Sequence, residues 1–205
     1  MKLYHCANAR SLRPLWALEE LGLDYELELL PFPPRVFRKE YLAINPLGTI
    51  PFFVDGDATM TESSGICAYL VEKYGPTPLR VAPDEPDYAR YLNWLFFSDA
   101  TLTFPQTLVL RYTQLEPPER RLPQAAADYG KWFLGRLRAV ENALTDRDFL
   151  AAGRFTIADI CIAYALHLAD TLPPLKDQIT ERSRAYLERM RERPAFQRAM
   201  EKQNG

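Results

Sequence analysis

Asn45-Pro46-Leu47-Gly48-Thr49-Ile50-Pro51-Phe52-Phe53-Val54-Asp55-Gly56-Asp57, followed by Thr61-Glu62-Ser63-Ser64-Gly65-Ile66, is the stretch on which the fold of this chain turns. Phe52 to Val54 is a short apolar run with strand character, and Pro51 opens it. Proline has no N–H to give a ladder, so it belongs at the first position of a strand or on an edge. The Ile50-Pro51 bond is a candidate cis peptide, since an X-Pro amide prefers trans by only about 0.5–1 kcal/mol. Such a turn leaves the backbone N–H and C=O of Ile50 open to an extended ligand. Asp55-Gly56 is a hairpin turn signal. Thr61-Glu62-Ser63 then sets hydroxyl and carboxylate groups at a helix start, where backbone N–H groups favour an anion. Strand, hairpin and anion-ready helix end together describe a binding site.

Outward from this stretch the pattern extends in both directions. Lys2 to Cys6 reads as a strand, Asn8-Ala9-Arg10-Ser11 as a loop, and Leu12, Leu15, Leu18 and Leu21 as one helix face ending at Gly22. Tyr25, Leu27 and Leu29 alternate with Glu26 and Glu28, the mark of a half-buried strand. Pro31-Phe32-Pro33-Pro34 stops it, and a short helix is expected within 35–44, with Phe37 and Tyr41 on one face. After the hairpin, Ala58-Thr59-Met60 is a weak strand. A helix over 63–74 turns Ile66, Tyr69, Leu70 and Tyr74 inward and stops at Gly75. Residues 1–75 therefore read β-α-β-α-β-β-α. The prolines between 76 and 86 mark a linker.

Everything from 87 to 205 reads as helix. The segment 88–115 is aromatic and interrupted by Pro105, with Trp94 and Phe96 assigned to the core. Helical spacing recurs over 124–144, 183–193 and 195–202. The run from Phe155 to Leu172 is apolar nearly all round, which predicts a buried central helix. Thr156-x-x-Asp159 forms a capping box at its start. The fold class expected is α/β plus all-α: an N-terminal α/β domain (1–75), a linker (76–86) and a helical bundle (87–205).

Bulk composition narrows the function. The chain has 205 residues, 47% of them hydrophobic, enough for a sizeable core. A net charge of −2 argues against a dedicated nucleic-acid binder. No apolar run is long enough to span a bilayer, and the N-terminus lacks signal-peptide character. The three cysteines, Cys6, Cys67 and Cys161, form no CxxC pair and read as buried packing. His5 and His167 have no partners at ligand spacing, so no metal is expected. The expectation is a soluble cytoplasmic protein that binds neither nucleic acid nor membrane.

Taken in order, these motifs resemble those of the cytosolic glutathione transferases over nearly the whole chain. Asn45 to Pro51 is similar to the family's loop leading to its cis-proline, and Glu62-Ser63 to its acidic–hydroxyl pair. Ser11 to Gly22 resembles its first helix, and Phe155-Thr156-Ile157-Ala158-Asp159 the helix start of its second domain. The resemblance implies a thioredoxin-like N-terminal domain followed by the helical domain. Glutathione is the implied co-substrate, a small apolar electrophile the other substrate, and a homodimer the assembly.

It also implies roles. Ser63, with the helix N-terminus, would hold the γ-glutamyl carboxylate, with Glu62 at the ammonium. Thr49, Ile50 and Pro51 would receive the cysteinyl backbone, Ile50 as a one-residue strand addition. Arg35, or else Lys39, would face the glycine carboxylate. In this family a Tyr, Ser or Cys near the first helix start acts on the thiol, and here the usual serine and cysteine positions fall near Asn8 and Arg10. A free thiol needs a donor or positive charge to ionise at neutral pH. Ser11 is the first choice for that donor, with Asn8 as a second and Arg10 as added charge. Asp99 is implied at the partner subunit's glutathione amine, while Phe104 and Tyr112 are placed to line the electrophile pocket. The activity implied is conjugation; a glutathione-dependent disulfide or peroxide reductase and a non-catalytic binding protein are the alternatives.

Overall fold

The computed structural model describes all of Met1–Gly205. In chain order its elements are β1 (Lys2–His5), α1 (Leu12–Leu21), β2 (Glu26–Leu29), α2 (Pro34–Phe37), a 3-10 turn (Lys39–Ala43), β3 (Phe52–Asp55), β4 (Ala58–Met60) and α3 (Ser63–Lys73). There follow α4 (Tyr88–Phe96), a π-helical stretch (Phe97–Thr103), α5 (Phe104–Leu110), a second π stretch (Arg111–Leu115) and a 3-10 turn (Pro118–Arg120). The chain closes with α6 (Pro123–Ala143), α7 (Ile157–Thr171), α8 (Pro173–Lys176), α9 (Glu181–Arg191) and α10 (Pro194–Asn204).

Two compact units result. One joins Met1–Arg80 to Arg191–Gly205, and the other is Val81–Met190. The last helix therefore belongs with the α/β part, whereas the sequence reading placed all of 87–205 in the helical domain. Charge accounts for the difference. Arg193 grips Glu20 with two hydrogen bonds of 2.6 and 2.9 Å, and Arg198 donates to Glu19 at 2.9 Å. Lys202 pairs with the same Glu19, and Phe196 packs edge-on to Trp16 at 4.9 Å. The residue capping α10 and two successive turns of the helix thus meet the consecutive acids of α1.

In the first unit the sheet order is β2-β1-β3-β4. β1 and β2 run parallel, Lys2 opposite Glu26 and His5 opposite Leu29, a pairing that needs the crossover α1 supplies. β1 and β3 are antiparallel with Tyr4 opposite Phe52. Pro51 lies just outside that ladder, and Ile50-Pro51 is cis, as are Phe32-Pro33 and Gly75-Pro76. Asp55 pairs with Ala58, so the hairpin turns on Gly56-Asp57, one residue later than expected, with Gly56 at φ 61°. Leu3, Leu15, Leu18, Phe53, Ile66 and Leu70 form the interior. Tyr69 and Tyr74, expected inward, are half-exposed and donate their hydroxyls to Asp55 Oδ2 beside Lys73. Tyr41 is buried but Phe37 is exposed, because a 3-10 turn replaces the continuous helix that would have aligned them.

In the second unit every residue from Ile157 to Ala169 on α7 is buried, the central helix that the all-round apolar pattern predicts. Its capping box is formed as read. Pro105 lacks an N–H, and the helical path to Leu115 passes it by π stretches on either side of α5. Trp94 is buried but Phe96 is 72% exposed, against its assignment to the core. Residues two apart on a helix point to different faces, and only the face carrying Tyr91, Trp94 and Leu95 is covered here. No helix is long and apolar enough to cross a membrane.

Candidate functional site

The loop before β3 is braced from within. Asn45 is buried and donates from Nδ2 to the Thr49 carbonyl at 3.0 Å, while its Oδ1 accepts the Leu47 N–H at 3.2 Å. The Tyr41 hydroxyl donates to the same Thr49 carbonyl at 2.9 Å. Gly48, at φ 61°, lets the loop close onto the neighbouring segment, since a Cβ there would lie 2.7 Å from the Cβ of Arg35. Arg35 is thereby held against the loop with its charged end exposed, and Lys39 is exposed further along. The outcome of this bracing is Ile50. Neither its N–H nor its C=O has a partner within the chain, and its side chain packs on the Tyr4, Cys6, Leu30 and Tyr41 cluster. Ala9 of the β1–α1 loop packs on that same cluster. Ile50 and the Asn8–Ser11 loop thus share one supporting cluster.

Ser63 is buried at the first position of α3, behind the exposed Glu62. Neither residue makes a side-chain cap of its own helix. Instead Arg13 of α1, itself fully buried, donates from Nη1 to Ser63 Oγ at 3.0 Å. That bond leaves the Ser63 hydroxyl proton for another acceptor and sets a permanent positive charge behind an already anion-favouring helix end. The expected motif contained Ser63 but not the arginine that orients it. Its only signal in the sequence is a cation in an otherwise apolar helix face.

The β1–α1 loop divides the thiol candidates sharply. Ser11 is fully buried, and its Oγ accepts the Cys6 N–H at 3.3 Å and lies 3.5 Å from the Cys6 carbonyl. It closes the loop from beneath. Asn8 is exposed in the left-handed region at φ 57° and is gripped by Gln203 of α10, which donates to Asn8 Oδ1 at 3.1 Å and accepts the Asn8 N–H at 3.1 Å. Arg10 is half-exposed. Cys6 is buried, and burial pushes its thiol up to about 12. Burial also pushes the His5 imidazole down to about 4, against a contact with Gln203 that favours its charged form. Nothing in the sequence pairs Gln203 with Asn8; the two lie at opposite ends of the chain.

The remaining candidates lie on the second unit. Asp99 is half-exposed in the first π stretch. Phe104 is 50% exposed at the start of α5, edge-on to Tyr129 at 6.3 Å. Tyr112 is half-exposed in the second π stretch, with the Arg111 guanidinium 5.5 Å over its ring. No grouping of His, Cys, Asp and Glu suited to a metal ion is present.

Comparison with known proteins agrees with this architecture. The model described as Glutathione S-transferase, N-terminal domain, matches residues 3–78, and that for the C-terminal domain matches residues 124–198. Glutathione S-transferase 2 of Schizosaccharomyces pombe is 32% identical over 163 residues, covering 76% of this chain and 69% of its own. A sphingomonad glutathione S-transferase solved with glutathione superposes with a TM-score of 0.86 at 25% identity, covering 100% of this chain and 99% of that one. Ure2p5 of Phanerochaete chrysosporium, cocrystallized with 1-(S-glutathionyl)-2,4-dinitrobenzene, gives 0.84 at 25% identity, covering 99% and 94%. With a four-stranded thioredoxin-like unit, a helical unit and both domain models matched in order, the chain belongs to the cytosolic glutathione S-transferase family.

Proposed function

We propose that this protein joins the sulfur of glutathione to a small apolar electrophile. The observation that carries the reading is Ile50, whose unpaired backbone N–H and C=O sit beside cis Pro51 in a braced loop. They suit the antiparallel addition of one cysteinyl residue. Ser63 and the α3 N-terminus take the γ-glutamyl carboxylate, Glu62 the ammonium, and Thr49 and Pro51 shape the floor of the site. Arg35 faces the glycine carboxylate, with Lys39 behind it. The exposed Asn8 amide donates to the thiolate and Arg10 adds positive charge. Ser11, whose hydroxyl is turned to the Cys6 backbone, supports the loop from below. A hydrogen bond to an anion is worth about 1.5–3 kcal/mol, enough to lower a thiol pKa by about one to two units.

In the step itself the thiolate lone pair attacks the electrophilic carbon, the C–S bond forms, and the leaving group departs with its electron pair. Phe104 and Tyr112 line the electrophile pocket. Asp99 reaches the glutathione amine of the partner in a cytoplasmic homodimer. Disulfide reduction through a protein mixed disulfide is disfavoured, since it needs a reactive protein thiol and Cys6 is buried and held protonated. Reduction in which glutathione supplies both thiols is the alternative that turnover must separate from conjugation. Steady-state turnover of a chromogenic aryl chloride and of hydroxyethyl disulfide, each with glutathione, tests the reading. Aryl chloride turnover is expected. Activity confined to the disulfide overturns conjugation, and glutathione binding with neither turnover identifies a non-catalytic member of the family.

A further inference from the structure

We propose that Gln203 is a positioning residue that decides which end of the Asn8 amide meets the glutathione sulfur; this rests on the role given to Asn8 above. The geometry dictates each orientation from the one before it. A backbone N–H can only donate, so the Asn8 N–H at 3.1 Å fixes the Gln203 oxygen on that side. The same oxygen lies 3.2 Å from His5 Nε2, which must then carry the imidazole proton. Gln203 Nε2 is left to donate to Asn8 Oδ1 at 3.1 Å. With its carbonyl end drawn to α10, the Asn8 amide turns its NH2 end away from Gln203. A thiolate accepts hydrogen bonds and does not donate them, so the NH2 end lowers the thiol pKa and the carbonyl end would raise it. Gln203 is 4% exposed and His5 is fully buried, so water does not compete at that end of the chain of bonds. The bracket also holds the left-handed Asn8 backbone in place.

The test reads the thiol pKa of protein-bound glutathione, from thiolate ultraviolet absorbance, in Asn8→Ala, Gln203→Glu and Gln203→Met. Gln203→Glu keeps both acceptor contacts, to the Asn8 N–H and to His5, but its charge alone also raises a nearby thiol pKa, so it is measured in the Asn8→Ala background as well. No further rise is expected there, and a further rise overturns the positioning role. The substituted side chain cannot donate to Asn8 Oδ1, and the Asn8 amide then turns its NH2 end to the new carboxylate. All three variants are expected to raise the bound thiol pKa by about 1–2 units, leaving about 10–100-fold less thiolate at neutral pH. Glutathione affinity, which the rest of the site supplies, is expected to change less than about threefold. A pKa that moves in Asn8→Ala but not in Gln203→Glu overturns the positioning role and leaves Asn8 as thiol donor. A pKa unmoved in Asn8→Ala overturns both. Should Gln203→Met fail to fold, Gln203→Glu and its combination with Asn8→Ala decide together.

Discussion

Removing the Asp159 carboxylate should be the most damaging single change in the second unit. Asp159 is fully buried near the start of α7 and accepts at both oxygens. Oδ1 takes the Leu150 N–H at 3.0 Å and the Tyr186 hydroxyl at 2.8 Å. Oδ2 takes the Thr156 N–H at 2.9 Å and the Thr156 hydroxyl at 3.1 Å. Asp159→Ala strands these donors in the core, each at about 1–3 kcal/mol. Partial rearrangement holds single substitutions of this kind to a total of about 3–5 kcal/mol. For a chain of this length that is a fall in Tm of about 6–20 °C. Asp159→Asn keeps the Oδ1 pair, loses the Oδ2 pair and should cost roughly 1–3 kcal/mol.

A pH signature accompanies the loss. Burial pushes the Asp159 carboxyl up to about 6. A folded pKa above the unfolded one means that the contribution is present below about pH 4 and lost as pH rises through about 6. The gap in stability between the parent and Asp159→Asn should therefore be wider near about pH 5 than near about pH 7. Thermal unfolding followed by circular dichroism, without glutathione, measures both effects. An Asp159→Ala protein melting within about 2 °C of the parent would refute the account of the cap.

Ser63→Ala should weaken glutathione binding by about 10–100-fold in titration calorimetry, through loss of one hydrogen bond to a carboxylate; unchanged affinity removes Ser63 from the site. His5 titrates with the opposite sign to Asp159. Its imidazole is pushed down to about 4, so its contribution is complete above about pH 6.5 and lost as pH falls toward 4. Because Asp159 acts oppositely in the same window, the readout is the difference in stability between the parent and His5→Gln, which should shrink as pH falls from about 6.5 to about 4; a difference constant with pH contradicts the buried neutral imidazole. The Cys6 thiol, buried and raised to about 12, should resist an aromatic disulfide reagent until the protein is unfolded. Rapid labelling of native protein at Cys6 would contradict that burial.

Local chemistry in the chain made much of this fold legible. Pro51 could only stand at the mouth of a strand, and it does, cis to Ile50. Gly22 ends α1 in the left-handed conformation, and Thr156 with Asp159 forms the cap its spacing announced. The apolar run of α7 had no polar face to expose, and Ile157 to Ala169 are all buried. Errors arose where a local pattern admitted two outcomes. Phe96 and Trp94 both looked like core, and only the choice of buried face sent Phe96 outward. Ser11 is a different case: by type and position it suits a thiol donor or a helix cap, and its hydroxyl lies buried against the Cys6 backbone.

The succession of elements, the caps and the glutathione-like recognition stretch are written in residues that act on near neighbours, so reading along the chain recovers them. Three features needed the folded chain: the bond from Arg13 to Ser63, the pairing of α10 with Glu19 and Glu20, and the grip of Gln203 on Asn8. Each joins side chains that lie far apart in sequence, through single hydrogen bonds or ion pairs that impose no period on the residues between them. Hydrophobic periodicity records which face of an element is buried; it does not record which polar partner waits there, and that partner is what orients the site.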